Sequence, residues 1–442
     1  MPHVALVPFT GFRVREAEML ALGMKLPGLQ QRGAALVELP ALGLLTLAGL
    51  NPEYWSASYH PTAAAGNALL QQVMSSRPDL VAISALTASI EEAYAFSQLL
   101  NQAGVRTVIG GLHATSCPGE AAEHCTAVVV GEGERCWRQV LADAEANQLQ
   151  KIYRASLFPA AAESQWPLPR FDLFGSQPPR FTLQTQRGCP LACEFCAASR
   201  LLTRFQEKPA ANIQHELAAL RSFGERPLLE LADDNTFAGD RDFGLFFDRL
   251  QNSGARWFTE SDWRLGERPE LLTRLAAAGC MQILVGIESL VFRYPGQGQK
   301  LTELERIMAA VAAIQAAGVV VNGCFIVGAE GETGESLARL TEFILQSPLA
   351  EVQITLQTPF PGTKLYERLQ REGRLLADRG WPHYTLFDVA YQPDELSVAE
   401  LEQGFREVLT SVYSAAATRR RIAIRKTIWQ INRRKRKWAC RL

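Results

Sequence analysis

The chain has 442 residues, 45 of them Lys or Arg and 46 Asp or Glu, so its formal net charge is −1. That balance and a hydrophobic share of 47% are those of a soluble globular protein, and no apolar run approaches the roughly 18 residues that a membrane span needs. Single cores rarely outgrow about 250 to 300 residues, so two or three domains are expected.

The opening Met1-Pro2-His3-Val4-Ala5-Leu6-Val7-Pro8 lacks a basic segment followed by a clean apolar one, which argues against secretion. Residues 80–84 read as a buried parallel strand. Ser89 with Glu92 has the spacing of a capping box and opens a helix that stops near Gly104. Residues 105–109 form a second strand ending at Gly110-Gly111, and residues 127–130 a third ending at Gly131-Glu132-Gly133-Glu134. This is the βαβ rhythm of a doubly wound, Rossmann-like sheet, whose ligands sit beyond the carboxyl ends of the strands. Ser84, Gly110, Gly111 and Gly131 cluster there, and glycine lets backbone approach a bulky ligand closely.

Residues 1–145 are expected to form this first domain and residues 146–180 a linker, where Pro159, Pro167, Pro169, Pro178 and Pro179 forbid a regular helix. An alternating strand from Phe181 then begins a second α/β unit over residues 181–365. Further strands are expected at 228–231, 257–260, 282–285, 319–327 and 352–356. Leu271, Leu272 and Leu275 share a helix face between two of them, and Thr302 with Glu305 caps a helix carrying Leu304, Ile307, Met308, Val311 and Ile314 to Gly318. Six βα units suggest a partial (β/α)6 TIM-like barrel with its chemistry at the carboxyl ends of the strands. Asp233-Asp234-Asn235, Glu260 with Asp262, Gly286-Ile287-Glu288-Ser289 and Gly328-Ala329-Glu330-Gly331 fall at those ends; any one acid could simply be a helix N-cap. Residues 366–442 read as a helical region.

Immediately after the first barrel strand comes Cys189-Pro190-Leu191-Ala192-Cys193-Glu194-Phe195-Cys196, with CxxxCxxC spacing. Structural zinc takes four ligands, usually as two separated pairs, and the other cysteines, Cys117, Cys125, Cys136, Cys280, Cys324 and Cys440, stand singly. Three close thiolates suit a tetranuclear iron–sulfur cluster with one iron left open to a second molecule. Thiolates that must stay reduced fit the cytoplasm.

The three cysteines, with Phe195 at the aromatic position before the last, resemble the radical SAM superfamily. That resemblance implies a 4Fe–4S cluster on Cys189, Cys193 and Cys196, and S-adenosylmethionine chelating the open iron. It also implies that Asp233 and Asp234 help hold the methionine amino end, that Glu288 and Ser289 contact the ribose or methionine, and that the Gly328 turn passes the adenine. The joint pattern Ser84-Ala85-Leu86-Thr87, Gly110-Gly111-Leu112-His113-Ala114-Thr115 and Val130-Gly131-Glu132-Gly133-Glu134 is similar to the cobalamin-binding domain of one large class of these enzymes. Residues 39–48 resemble a further segment of that class. Ser84, Leu86, Thr87, Gly110, Gly111, Gly131 and Gly133 would then face cobalamin. The Asp-x-His-x-x-Gly loop that supplies a lower cobalt ligand in many cobalamin proteins is missing, and His113 lies on a different strand end. The segment from Thr358 to Thr363 is similar to a loop that caps the barrel in this class.

The resemblance implies reductive cleavage of S-adenosylmethionine to a 5'-deoxyadenosyl radical, fed by a donor such as flavodoxin or ferredoxin, and C-methylation of a small molecule or lipid through cobalamin. Hopanoid methylases and the anaerobic magnesium-protoporphyrin cyclase belong to the same class, so ring formation or rearrangement is the alternative. A non-catalytic cobalamin sensor has no need for an open iron. Methylthiolation of tRNA is disfavoured by the lack of a second cysteine cluster and by the helical C-terminus, so nucleic acid is not the expected partner. In the tail, Arg419-Arg420-Arg421, Arg425-Lys426 and residues 433–437 interleave with Ile422, Ile424, Ile428, Trp429, Ile431 and Trp438. Such a helix can touch an anionic membrane or simply be a solvated end.

Overall fold

The computed structural model describes residues 1–11, 13–29, 41–157, 166–174, 178, 180–197, 205–224, 226–296 and 304–439, with side chains to 436. The expectations for Leu39, Pro40, Pro159, Pro179, Thr302, Cys440 and the side chains of Lys437 and Trp438 lie outside the described residues.

Six strands build the first sheet: β1 His3–Phe9, β2 Ser56–Tyr59, β3 Leu80–Ala85, β4 Arg106–Gly110, β5 Ala127–Val130 and β6 Ile152–Arg154. Their order is β2-β1-β3-β4-β5-β6, and every pairing is parallel. Chain order reverses between β1 and β3, and a crevice opens at such a point beyond the strand ends. The sheet runs on to Arg154, past residue 145. Its inner strands are buried on both faces. Val81, Ile83 and Ile109 pack against one helical layer, and Val4, Leu6, Ala82 and Val108 against the other.

The capping box at Ser89 is not formed. A 3-10 turn, Thr87–Ser89, coils the backbone before the Ile90–Gln102 helix begins. The Ser89 hydroxyl therefore turns back to donate to the Leu86 carbonyl at 3.3 Å. Glu92 pairs with Arg13 at 3.2 Å instead of capping.

The second domain is an open barrel of six parallel strands. β7 Phe181–Leu183 precedes a small antiparallel pair, β8 Gln186–Arg187 and β9 Gln206–Glu207. The other staves are β10 Leu228–Leu231, β11 Arg256–Asp262, β12 Cys280–Glu288, β13 Val320–Val327 and β14 Glu351–Leu356. The barrel order is β14-β13-β12-β11-β10-β7. Alternation assigns the faces: Trp257 packs on Phe246 of the Phe243–Ser253 helix, so Phe258, Glu260 and Asp262 take the lumen side. Lumen positions align across neighbouring strands as Glu260, Leu284 and Asn322, then Asp262, Gly286 and Cys324.

The basic tail closes the barrel at its amino end. Helix Ala415–Ala439 lays Arg421, Ile428 and Asn432 inward. Ile428 packs on Val320 and Ala350, Arg425 pairs with Glu351, and Arg421 donates to the Val412 carbonyl at 2.6 Å. Asn432, 1% exposed, donates to the Cys280 and Gly318 carbonyls, each at 2.8 Å. The tail is thus a packed element, and Arg419, Lys426, Trp429, Arg433 and Arg434 form its exposed side.

Replacing Asn432 by Leu keeps the volume but orphans two buried carbonyls. The expected cost is about 1 to 3 kcal/mol for each, read as a lower urea midpoint with an unchanged slope. A midpoint equal to that of the wild type would show that the tail does not hold the barrel shut.

Candidate functional site

The cysteine loop leaves β7 and is fixed from three sides. The Asp233 carboxylate, 2% exposed, accepts from the Thr185 N–H at 2.6 Å, the Gln186 N–H at 3.0 Å, the Thr236 hydroxyl at 2.9 Å and the Thr185 hydroxyl. Four donors occupy its two oxygens. Asp233 therefore positions the loop in this structure.

Opposite, the Ala192 N–H donates to the Gly296 carbonyl at 3.1 Å and the Glu194 N–H to the Pro295 carbonyl at 2.9 Å. Gly296 has φ +84°, and an added Cβ would collide with the Ala192 carbonyl oxygen. On the third side the buried Glu194 carboxylate accepts from Arg368 at 3.0 Å, and Arg368 also bonds Glu330 at 3.0 Å. Paired carboxylates raise the guanidinium pKa despite its partial burial. The Glu194 carbonyl accepts the Leu365 N–H at 3.0 Å, where the helix Lys364–Arg371 begins.

Within this frame Cys193 is buried, Cys189 and Cys196 are half-buried, and none of the three is in a disulfide. Burial pushes the Cys189 thiol up, partly offset by hydrogen bonds from the Leu191 N–H and from Asn235, whose amide lies 4.0 Å from the sulfur. Coordination to iron supplies the positive charge that a buried thiolate otherwise lacks. Phe195 stands edge-on to Tyr294, with ring centres 4.7 Å apart.

Asp234, the following residue, is pushed up to about 6 by burial and by Asp233, against a hydrogen bond from the Gly188 N–H. Glu288 is buried in a left-handed conformation, φ +68°, where the register between β12 and β13 shifts. Non-glycine residues held so are strained and concentrate at functional sites. The Ser289 hydroxyl accepts from the Val291 and Phe292 N–H groups at 3.1 and 3.0 Å, which shapes the turn toward Gly296. Gly328 has φ +88°, and an added Cβ would stand 2.5 Å from the Tyr391 hydroxyl. That glycine is needed for close packing on the C-terminal region.

Two cavities flank the loop. The first, about 320 Å³, is lined by Ser84, Gly110, Gly111, Gly131 and Gly133 beyond the strand ends of β3, β4 and β5, and reaches Gly188 and Asp234 of the barrel. Gly111 and Gly131 have φ +109° and +86°, so the cradle is bare backbone where a side chain would be strained. Arg187, ion-paired with Glu134 and stacked 4.4 Å over Trp166, ties this wall to the barrel. The second cavity, about 370 Å³, is lined by Leu86, Thr87, Phe195, Cys196, Phe360 and Leu386 among others. Leu86 and Thr87 thus face the cluster loop, apart from the glycine cradle, and Leu112 borders both cavities. Phe360 and Pro361 of the expected capping loop form its roof.

Three known families match the protein: the B12 binding domain over residues 32–141, the Radical SAM superfamily over residues 183–344, and a domain of unknown function over residues 363–441. The chain is a radical SAM enzyme with a cobalamin-binding domain. The bacteriochlorophyllide d C-12(1)-methyltransferase of Chlorobaculum tepidum is 24% identical over 398 residues, covering 88% of this chain and 86% of that protein. The hopanoid C-2 methylase of Rhodopseudomonas palustris is 26% identical over 370 residues, covering 77% and 66%. Among solved structures, the cobalamin-dependent S-adenosylmethionine radical enzyme OxsB with aqua-cobalamin and S-adenosylmethionine bound has a TM-score of 0.67 at 16% identity, over 99% of this chain and 72% of that one. The radical S-adenosylmethionine methyltransferase TsrM from Kitasatospora setae has a TM-score of 0.68 at 13% identity, over the whole of both. At such identities the likeness is one of fold. The two domain matches imply its cofactors: S-adenosylmethionine with a 4Fe–4S cluster from the radical SAM domain, and cobalamin from the B12 binding domain.

Sequence reasoning missed Glu194, Gly296, Arg368 and the wall at Tyr384–Leu386. Only Glu194 carried a local signal, an acid between two cysteines of a buried loop. Changing Gly296 to Ala is expected to displace the Ala192 carbonyl and lower the iron retained after anaerobic reconstitution severalfold. Iron equal to wild type would show that the loop is held elsewhere.

Proposed function

We propose that this enzyme methylates an unactivated carbon of an apolar polycyclic molecule. One observation carries the reading: Cys196 and Phe195 of the cluster loop share a single apolar chamber with Leu86 and Thr87 of the cobalamin-binding domain. The chamber adjoins the glycine cradle at Leu112, so a carbon held there would lie beside both the cluster loop and the cobalamin site. When bound, the cluster supplies the electron that cleaves S-adenosylmethionine, and the corrinoid supplies the methyl group.

The protein's own part is to bind, orient and exclude water. Leu86, 58% exposed at the chamber mouth, with Phe360, Pro361, Tyr384 and Leu386, offers apolar surface to a flat substrate. Among the described residues Arg13 is the one arginine or lysine lining the chamber, and Glu92 neutralises it at 3.2 Å. The wall therefore favours a largely uncharged ring system. The named substrates of the relatives above, a bacteriochlorophyllide and a hopanoid, are large ring systems. Asp234, with its raised pKa, and the strained Glu288 are the acids to which we assign the polar end of S-adenosylmethionine. Electrons come from outside, from a donor of the flavodoxin or ferredoxin type.

Ring formation is the second reading, favoured by the anaerobic magnesium-protoporphyrin IX monomethyl ester cyclase of Rubrivivax gelatinosus, 22% identical over 363 residues. Anaerobic turnover with S-adenosylmethionine carrying a deuterated methyl group separates the two. Methylation predicts deoxyadenosine together with a deuterated product. Deoxyadenosine with a dehydrogenated or cyclised product and no label would remove methyl transfer and retain the radical step. Filling the chamber mouth with Leu86→Trp is expected to lower kcat/KM for substrate at least about tenfold, a loss of about 1.4 kcal/mol. Iron content should not change, and an unchanged kcat/KM would place the substrate elsewhere.

The exposed cations of the tail, with Trp429, are where peripheral contact with an anionic membrane would be made. Reversing Lys426, Arg433 and Arg434 to Glu should then abolish co-sedimentation with phosphatidylserine vesicles. Wild-type protein that stays in the supernatant would dispose of the contact.

A further inference from the structure

Away from the cluster, three metal-ligating side chains of different chemistry converge at the edge of the first domain. The helices Leu112–Ser116 and Pro118–His124 follow each other beyond β4, and they bring His113, Cys117 and Glu120 together. One ligand atom from each lies within 4.8 Å of the others, and His113 Nε2 is 3.3 Å from Glu120 Oε1. His113 is 1% exposed. Sulfur, imidazole nitrogen and carboxylate oxygen form a donor set that zinc accepts readily.

The surroundings are built as a second layer around such an ion. The other ring nitrogen of His113 faces the Thr87 hydroxyl at 3.3 Å, as metal-bound imidazoles commonly use their remaining nitrogen. Both oxygens of Glu120 lie 3.0 Å from the indole N–H of Trp381. The Tyr94 hydroxyl, on a residue 4% exposed, lies against Glu120 and Cys117 at the edge of this donor set. A cavity of about 330 Å³, lined by Tyr94, Glu120, His124 and Trp381, gives an ion a way in.

We propose that His113, Cys117 and Glu120 form a zinc site with an open fourth position beside the Tyr94 hydroxyl. It joins the first domain to the C-terminal region through Trp381, whose ring also stands edge-on to His113 at 4.9 Å. Because His113 walls the apolar chamber, the ion fixes one side of it.

The test is zinc-edge X-ray absorption on anaerobically purified holoenzyme given one equivalent of zinc, a signal that iron and cobalt do not obscure. The expected result is one zinc per protein molecule with a single sulfur at about 2.3 Å and nitrogen or oxygen at about 2.0 to 2.1 Å. Cys117→Ser should remove the sulfur and weaken zinc retention at least tenfold with iron content unchanged. Glu120→Gln should weaken retention with the sulfur still present, which covers the case in which the serine variant does not fold. Failure to bind one equivalent, or a sulfur shell that Cys117→Ser leaves intact, would overturn the site.

Discussion

A loop that offers three thiolates and no fourth can leave an iron corner vacant only if it is prevented from collapsing onto its own sulfurs. Here the constraint is the triple fixation of residues 185–196: Asp233 gathers the backbone before the first cysteine, the Pro295-Gly296 turn accepts two N–H groups between the cysteines, and the Glu194–Arg368–Glu330 relay holds the far side. Two anchors come from the barrel and the third reaches through Arg368 into the C-terminal region. Barrel and C-terminal region together set the loop, and the loop sets where a second molecule can reach the metal.

The two domains are matched to that opening. The carboxyl ends of β3, β4 and β5 point at the cluster loop across two adjoining cavities, one bounded by glycine backbone and one by apolar side chains. What keeps them facing is polar and comes from distant parts of the sequence. Arg187 pairs with Glu134, and the buried Asp388 accepts the Arg15 and Glu16 N–H groups at 2.9 and 2.7 Å. The helix Val398–Val412 adds Arg406, 3.4 Å from both Glu16 and Glu18. A region whose family is described only as a domain of unknown function thus supplies a chamber wall, an interdomain clasp and the lid at the foot of the barrel.

Local chemistry was legible in the sequence. The cysteine spacing, the glycines at the strand ends and the apolar runs of the barrel staves are each written within ten residues, and the observed staves overlap those runs. Strands β1, β2 and β6 escaped notice because a short apolar or mixed run carries no period that separates strand from helix or loop. Partnerships at long range were not legible at all: Glu194 meets Arg368 across 174 positions, and Arg15 meets Asp388 across 373. The loop-positioning role of Asp233 was hidden for the same reason, since an acid at a strand end shows its donors only when the chain is folded. The tail misled in the opposite sense, since its cations conceal that Arg421, Ile428 and Asn432 form an inward stripe.

The vacant iron corner is tested most directly by electron-nuclear double resonance on the reduced, anaerobically reconstituted protein with S-adenosylmethionine labelled with ¹⁵N at its amine and ¹⁷O at its carboxylate. Three-thiolate ligation on this loop predicts hyperfine coupling from both labels to the cluster. A cluster that shows no coupling to either label, or one whose four irons all carry protein ligands, would contradict the account.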